Sequence, residues 1–99
     1  MLEENNSASL SIDEIAHQLD LEEMNIVISK EIKKFNKLTT VIRGIDDSEN
    51  IRSSKELKTK LGTGGTIKDG QIILQGDHRE AVKKLLVARG FKEKLIEIL

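Results

Sequence analysis

The stretch Gly62-Thr63-Gly64-Gly65-Thr66-Ile67-Lys68-Asp69-Gly70-Gln71-Ile72-Ile73-Leu74-Gln75-Gly76-Asp77-His78-Arg79 decides the fold of this chain. Gly62 and Gly64 stop a preceding helix, and residues 65–68 and 71–75 read as two strands. Asp69-Gly70 joins them in a type I′ turn, a geometry that needs positive φ at both central residues. Gly76-Asp77 ends the second strand and opens a helix, with Asp77 as cap and Glu80 three residues on in a capping-box arrangement. The glycine-rich entry does not suit a phosphate loop. Such loops follow a strand and open a helix, whereas these glycines follow a helix and open a strand.

Outward from that hairpin the pattern stays regular. Downstream, Ala81, Val82, Leu85, Leu86 and Ala88 form one apolar arc of a helix that closes at Gly90, and residues 95–99 read as a last, half-buried strand. Upstream, Asp46-Asp47-Ser48 offers cap chemistry for a helix from Glu49 to Leu61, with Leu57 and Leu61 inward and Ser54 between them. Its Arg52 and Lys55 point away, with Lys58 and Lys60 on the flanks. Before it, Ile26, Ile28 and Ile32 share one face of a strand, and residues 38–43 return as its hairpin partner. The tip of that hairpin carries Lys33, Lys34 and Lys37. The expected order is β-β-α-β-β-α-β: an α+β two-layer sandwich in which both helices cover one face of a mixed five-stranded sheet.

Composition sets the outer limits. With 99 residues there is room for one domain, and with only 2% aromatic residues the core must be Ile, Leu and Val. There is no cysteine, which removes disulfides, thiolate metal sites and cysteine nucleophiles. No apolar run approaches the roughly 20 residues that span a bilayer, so the chain reads as soluble and intracellular. His17 and His78 stand far apart, neither with a companion at ligand spacing, and Asp46-Asp47 is explained by turn and cap roles. No nucleophile–base pair can be assembled, so no enzyme, metal site or cofactor is expected.

Charge is divided along the chain. Residues 1–25 hold seven acidic side chains and no Lys or Arg, leaving all 16 basic residues and ten of the 17 acids to the rest. Residues 1–24 therefore read as an acidic tail, with a short helix from Ile12 to Asp20 marked by the Ser11-Ile12-Asp13-Glu14 capping pattern, and residues 25–99 as the folded domain. A basic body suggests a polyanionic partner. Lys30, Lys33, Lys34 and Lys37 crowd one hairpin arm, and Arg52, Lys55 and Lys58 run along a helix face. RNA phosphate fits this set, with Asn36 placed to bond a base edge or ribose. The scarcity of aromatics argues against a single-strand stacking platform and for folded RNA read through backbone and shape.

Four elements in order resemble the translation initiation factor 1 family in its archaeal form. They are Thr40-Val41-Ile42-x-Gly44-Ile45, Leu57-Lys58-x-Lys60-Leu61, Gly64-Gly65-Thr66-Ile67-Lys68 and Leu74-Gln75-Gly76-Asp77-His78-Arg79. The resemblance implies a non-enzymatic, monomeric, cytoplasmic factor on the small ribosomal subunit near the P site. Its partners would be 16S-type rRNA, initiator tRNA, mRNA and other initiation factors, and its task the rejection of wrong codon–anticodon pairs. The rRNA contacts would be Lys33, Lys34, Asn36, Lys37, Arg52, Lys55 and Lys58, and the Lys68-Asp69-Gly70 turn would face the tRNA. Gly64, Gly65, Gly76 and Asp77 match the motif as architecture, and Arg79 matches it in either role. Some archaeal members carry a cysteine-bearing metal site; without cysteine, no zinc is carried over. The alternatives are a ribosome-associated RNA-binding factor of reinitiation or recycling, and a protein–protein adaptor using the open sheet face.

Overall fold

The computed structural model describes Ser11, Ile12, Ile15 and residues 24–99. Ile12 and Ile15 are helical, and the Ile15 N–H donates to Ser11 O at 3.0 Å. The rest of the expected 12–20 helix and the acidic tail lie outside the described residues.

The element order is the expected one: β1 (Ile26–Lys33), β2 (Lys37–Arg43), α1 (Asp47–Leu61), β3 (Gly65–Lys68), β4 (Gln71–Gln75), α2 (Arg79–Arg89) and β5 (Ile96–Ile98). The strands form one sheet in the order β3-β4-β2-β1-β5. β1 and β2, β2 and β4, and β3 and β4 pair antiparallel, whereas β5 joins β1 in parallel. The sheet is therefore mixed. Register explains which face is apolar. Ile28 lies opposite Ile42, Ile42 opposite Ile72, and Ile26 opposite Ile96, so these isoleucines line up on one side. With Leu74 they form a single core with Leu57 of α1 and Val82 and Leu86 of α2, so both helices lie on that face. Met24, Ile45 and Phe91 close its ends. Full burial of each such side chain contributes about 1.5–3 kcal/mol.

The Asp69-Gly70 turn takes the expected form, with φ of 52° and 74°. Gly65 is held glycine by packing, because a Cβ there would sit 2.6 Å from Ile73 O. Gly76 has φ of 88°, and its N–H donates to Leu38 O at 2.8 Å. Buried Thr40 ties down the next step, its hydroxyl donating to Gly76 O at 2.7 Å and accepting from the His78 N–H at 2.8 Å. That pair of bonds sets where α2 leaves the sheet.

Several expectations change. Ile32 lies on the same face of β1 as Ile26 and Ile28, but unlike them it is 67% exposed. The last β2–β4 pair is Thr39 with Gln75, so beyond it the β1–β2 arm has no third strand beside it. α1 starts at Asp47 rather than Glu49. Asp46 caps it through its carbonyl, which accepts the Glu49 and Asn50 N–H groups at 2.8 and 3.0 Å, without a side-chain bond. At α2 the cap position belongs to His78, and Asp77 spends its carboxylate mainly on Arg79. Ala88 is exposed and Arg89 takes the inward position expected of it. Gly62 alone ends α1, at φ 62°, while Gly64 O accepts the Gln75 N–H at 3.0 Å and so starts the second hairpin. The final strand begins at Ile96, after a 3-10 turn over Glu93–Leu95.

Candidate nucleic-acid interface

β1 and β2 stay paired down to Lys33 opposite Lys37, and a three-residue turn, Lys34–Asn36, closes the arm. Two like charges directly opposite each other repel. Glu31 offsets this, since its carboxylate meets Lys33 Nζ at 3.1 Å and Arg43 Nη2 at 2.6 Å. Arg43 Nη1 also donates to Ser29 Oγ at 3.2 Å. The Lys33 ammonium, and after it the Arg43 guanidinium, hold the Glu31 carboxyl below its ordinary range. Lys33 is thus partly compensated by a carboxylate on its own strand. Lys34 and Lys37 make no ion pair among the described residues, and both are exposed, as is Asn36.

Lys30 lies opposite Thr40, on the other face of β1 from Lys33. Its charge reaches Asp77, whose pKa is depressed first by the hydrogen bonds from Arg79 and only lastly by Lys30. Arg52 and Lys55 stand exposed on α1, and Lys58 is half-buried, all three without an ion pair among the described residues. The C-terminal turn of α1 lies at the same end of the sheet as the hairpin arm, because Lys58 O accepts the Thr63 N–H and Gly64 O accepts that of Gln75, the partner of Thr39. The Lys68-Asp69-Gly70 turn is at the opposite end. There Gly70 O accepts from Asn50 Nδ2 at 3.2 Å, beside the start of α1. The cations therefore divide: Lys33, Lys34 and Lys37 gather at one tip with Lys58 at the same end, and the turn expected to face tRNA sits apart from them.

Arg79 is committed within the chain. Its Nε and Nη2 meet the two Asp77 oxygens at 2.9 and 3.0 Å, and Nη1 donates to Leu99 O at 2.8 Å. His78 Nε2 lies 2.8 Å from Gln75 O, and among the described residues no group of three or more His, Cys, Asp or Glu is placed to hold a metal ion. Among those residues, no helix is long and apolar enough to cross a membrane.

Three features escaped the sequence reading. Arg89 joins the helices by reaching Glu49 Oε1 at 2.8 Å, Ser53 Oγ at 2.8 Å and Glu56 Oε1 at 3.1 Å. Buried Asn50 links α1 to the Asp69-Gly70 turn. Phe35, at the tip of the basic arm, is 90% exposed. A signal existed for the first: Glu49, Ser53 and Leu57 recur at four-residue spacing, and Arg89 lies seven after Val82, so both charges fall on inward faces.

The chain is thus a two-layer α+β domain whose first hairpin projects past the sheet with a cationic tip. The family described as translation initiation factor SUI1 matches residues 22–92, and the chain belongs to that family. Among relatives, the protein translation factor SUI1 homolog of Thermococcus onnurineus is 53% identical over 81 residues, 78% of this chain and 81% of its own. The homologs of the same name from Aeropyrum pernix and Sulfolobus acidocaldarius are 48% and 44% identical over 88 residues. They cover 87% of this chain and 87% and 89% of their own lengths.

Proposed function

We propose that this chain is a translation initiation factor that binds the small ribosomal subunit near the P site and sharpens start-codon selection, acting without catalysis. The observation that carries the reading is the β1–β2 arm, whose Lys34 and Lys37 have no carboxylate partner among the described residues, in a chain of this family. Lysines gathered at the tip steer the domain toward phosphate from a distance and position it on contact. Arg52, Lys55 and Lys58 would widen the contact along α1. Discrimination would then come from crowding at the codon–anticodon pair, with the Lys68-Asp69-Gly70 turn toward the tRNA and Asn50 bracing it. The bound factor would be displaced, or shifted, when pairing is correct. The partners in this reading are 16S-type rRNA, initiator tRNA, mRNA and other initiation factors, met by a cytoplasmic monomer.

Sedimentation with purified small subunits tests it. Reversing Lys33, Lys34 and Lys37 to Glu should weaken binding at least tenfold with the circular dichroism of the fold unchanged. For Z phosphate contacts, log affinity should fall with log salt at a slope of roughly −0.7Z to −0.9Z, and the triple variant should flatten it. Wild-type binding by that variant removes the arm from the interface. In toeprinting, the intact chain should alter the choice among start codons.

A further inference from the structure

Phe35 stands where neither the fold nor the turn has a use for a ring. It is 90% exposed, whereas the other aromatic residue, Phe91, is 2% exposed and packed in the core. Its backbone is left-handed, at φ 61° and ψ 34°. Asn36 beside it, at φ 57°, tolerates that region well, but a bulky side chain there is strained. Local turn chemistry would choose glycine or asparagine at both positions. A residue that strains its turn and buries nothing is accounted for by something outside the chain.

What surrounds it narrows the partner. Lys34 precedes it, and Lys37 follows after Asn36, both without a carboxylate partner among the described residues. Ile32 and Leu38, paired across the arm just below the tip, are 67% and 38% exposed. An apolar protein pocket would take the ring only by drawing two uncompensated ammonium groups out of water, which is costly. RNA offers phosphates to the lysines and a π face to the ring at once. We infer that Phe35 is a base-stacking residue, placing its ring on an unpaired base of the structured RNA that the lysines hold. One ring is no platform for a strand. It is a single anchor, suited to a base splayed from a folded region. The inference rests on the RNA-binding reading of the arm and adds to it a residue that charge does not reveal.

Three variants test it on purified small subunits, in sedimentation and fluorescence assays. Phe35→Leu keeps apolar bulk and removes the ring; binding should weaken about tenfold with the salt slope unchanged. Phe35→Gly should raise the melting temperature by relieving strain, yet bind as weakly as Phe35→Leu. The chain has no Trp or Tyr, so Phe35→Trp, incorporated as 5-hydroxytryptophan and excited beyond the absorption of the subunit's own tryptophans, places a distinguishable fluorophore at the tip. Stacking should quench it while affinity is retained. Wild-type binding by the Leu and Gly variants overturns the inference, as does a Trp emission that brightens and shifts to the blue, the sign of an apolar protein pocket. If Lys34→Gln with Lys37→Gln also binds as wild type does, the RNA reading of the arm fails. If that lysine variant alone weakens binding, only the stacking role falls.

Discussion

Arg89 sits where the helical period calls for an apolar side chain, and its side chain is only 10% exposed. Glu49, 8% exposed, lies against it at 2.8 Å, and Ser53 takes a further hydrogen bond. Removing one member of such a pair leaves the other charged and buried, which costs far more than the pair itself contributes. Arg89→Ala should therefore destabilise the domain by roughly 3–5 kcal/mol in urea denaturation. Arg89→Met combined with Glu49→Gln should recover most of that loss. A double variant no more stable than Arg89→Ala would show that the two charges do not compensate each other. Lysine is no substitute here, because it lacks the fork that reaches Glu49 and Ser53 together.

At the scale of the element, the β1–β2 arm has its own pH dependence through Glu31. Its folded pKa is depressed by Lys33 and then by Arg43. A depressed acid contributes stability above its unfolded pKa and loses it as pH falls through the lower folded value. The wild type should thus lose stability more steeply than Glu31→Gln as pH falls below the ordinary carboxylate range, by less than about 1 kcal/mol because solvent reaches both partners of the pair. Parallel titrations of the two proteins would overturn the assignment. The arm also shows where sequence reading stops. Alternating Ile26 and Ile28, the Asp69-Gly70 pair and the spacing of Leu57 and Leu61 fix strands, turn and helix locally, and all are as expected. The exposure of Ile32 is not legible there, because alternation gives the face of a strand but not how far its neighbours extend. The tip around Phe35 is legible as a turn, but hydrophobic alternation does not tell which of its residues takes a left-handed φ or that the ring stays exposed.

Across the whole molecule, charge is segregated between residues 1–25 and the body. We propose that the acidic tail competes with RNA for the basic surface and so lowers indiscriminate binding. Deleting residues 1–22 keeps Met24, which packs in the core. The truncated chain should bind an arbitrary labelled oligoribonucleotide several-fold more tightly at low salt, with the gain shrinking as salt rises. Equal affinities in a polarisation assay would reject the tail's role. The mixed sheet and its helical layer were readable from the order of elements, but the strand order was not, since the pattern of β5 does not say which edge it joins. The separation of the Lys68-Asp69-Gly70 turn from the arm was hidden as well, because it follows from the antiparallel pairing of β4 with β2. The docking of β5 beside β1 carries a last consequence, for the way the protein is made. During N-to-C synthesis β1 emerges before the other strands, yet the outer backbone groups of its Ile26–Ile28 meet a mate only when Ile96–Ile98 arrive. Until then that flank is an open template for aggregation, and closure depends on a contact of high sequence separation, which slows folding.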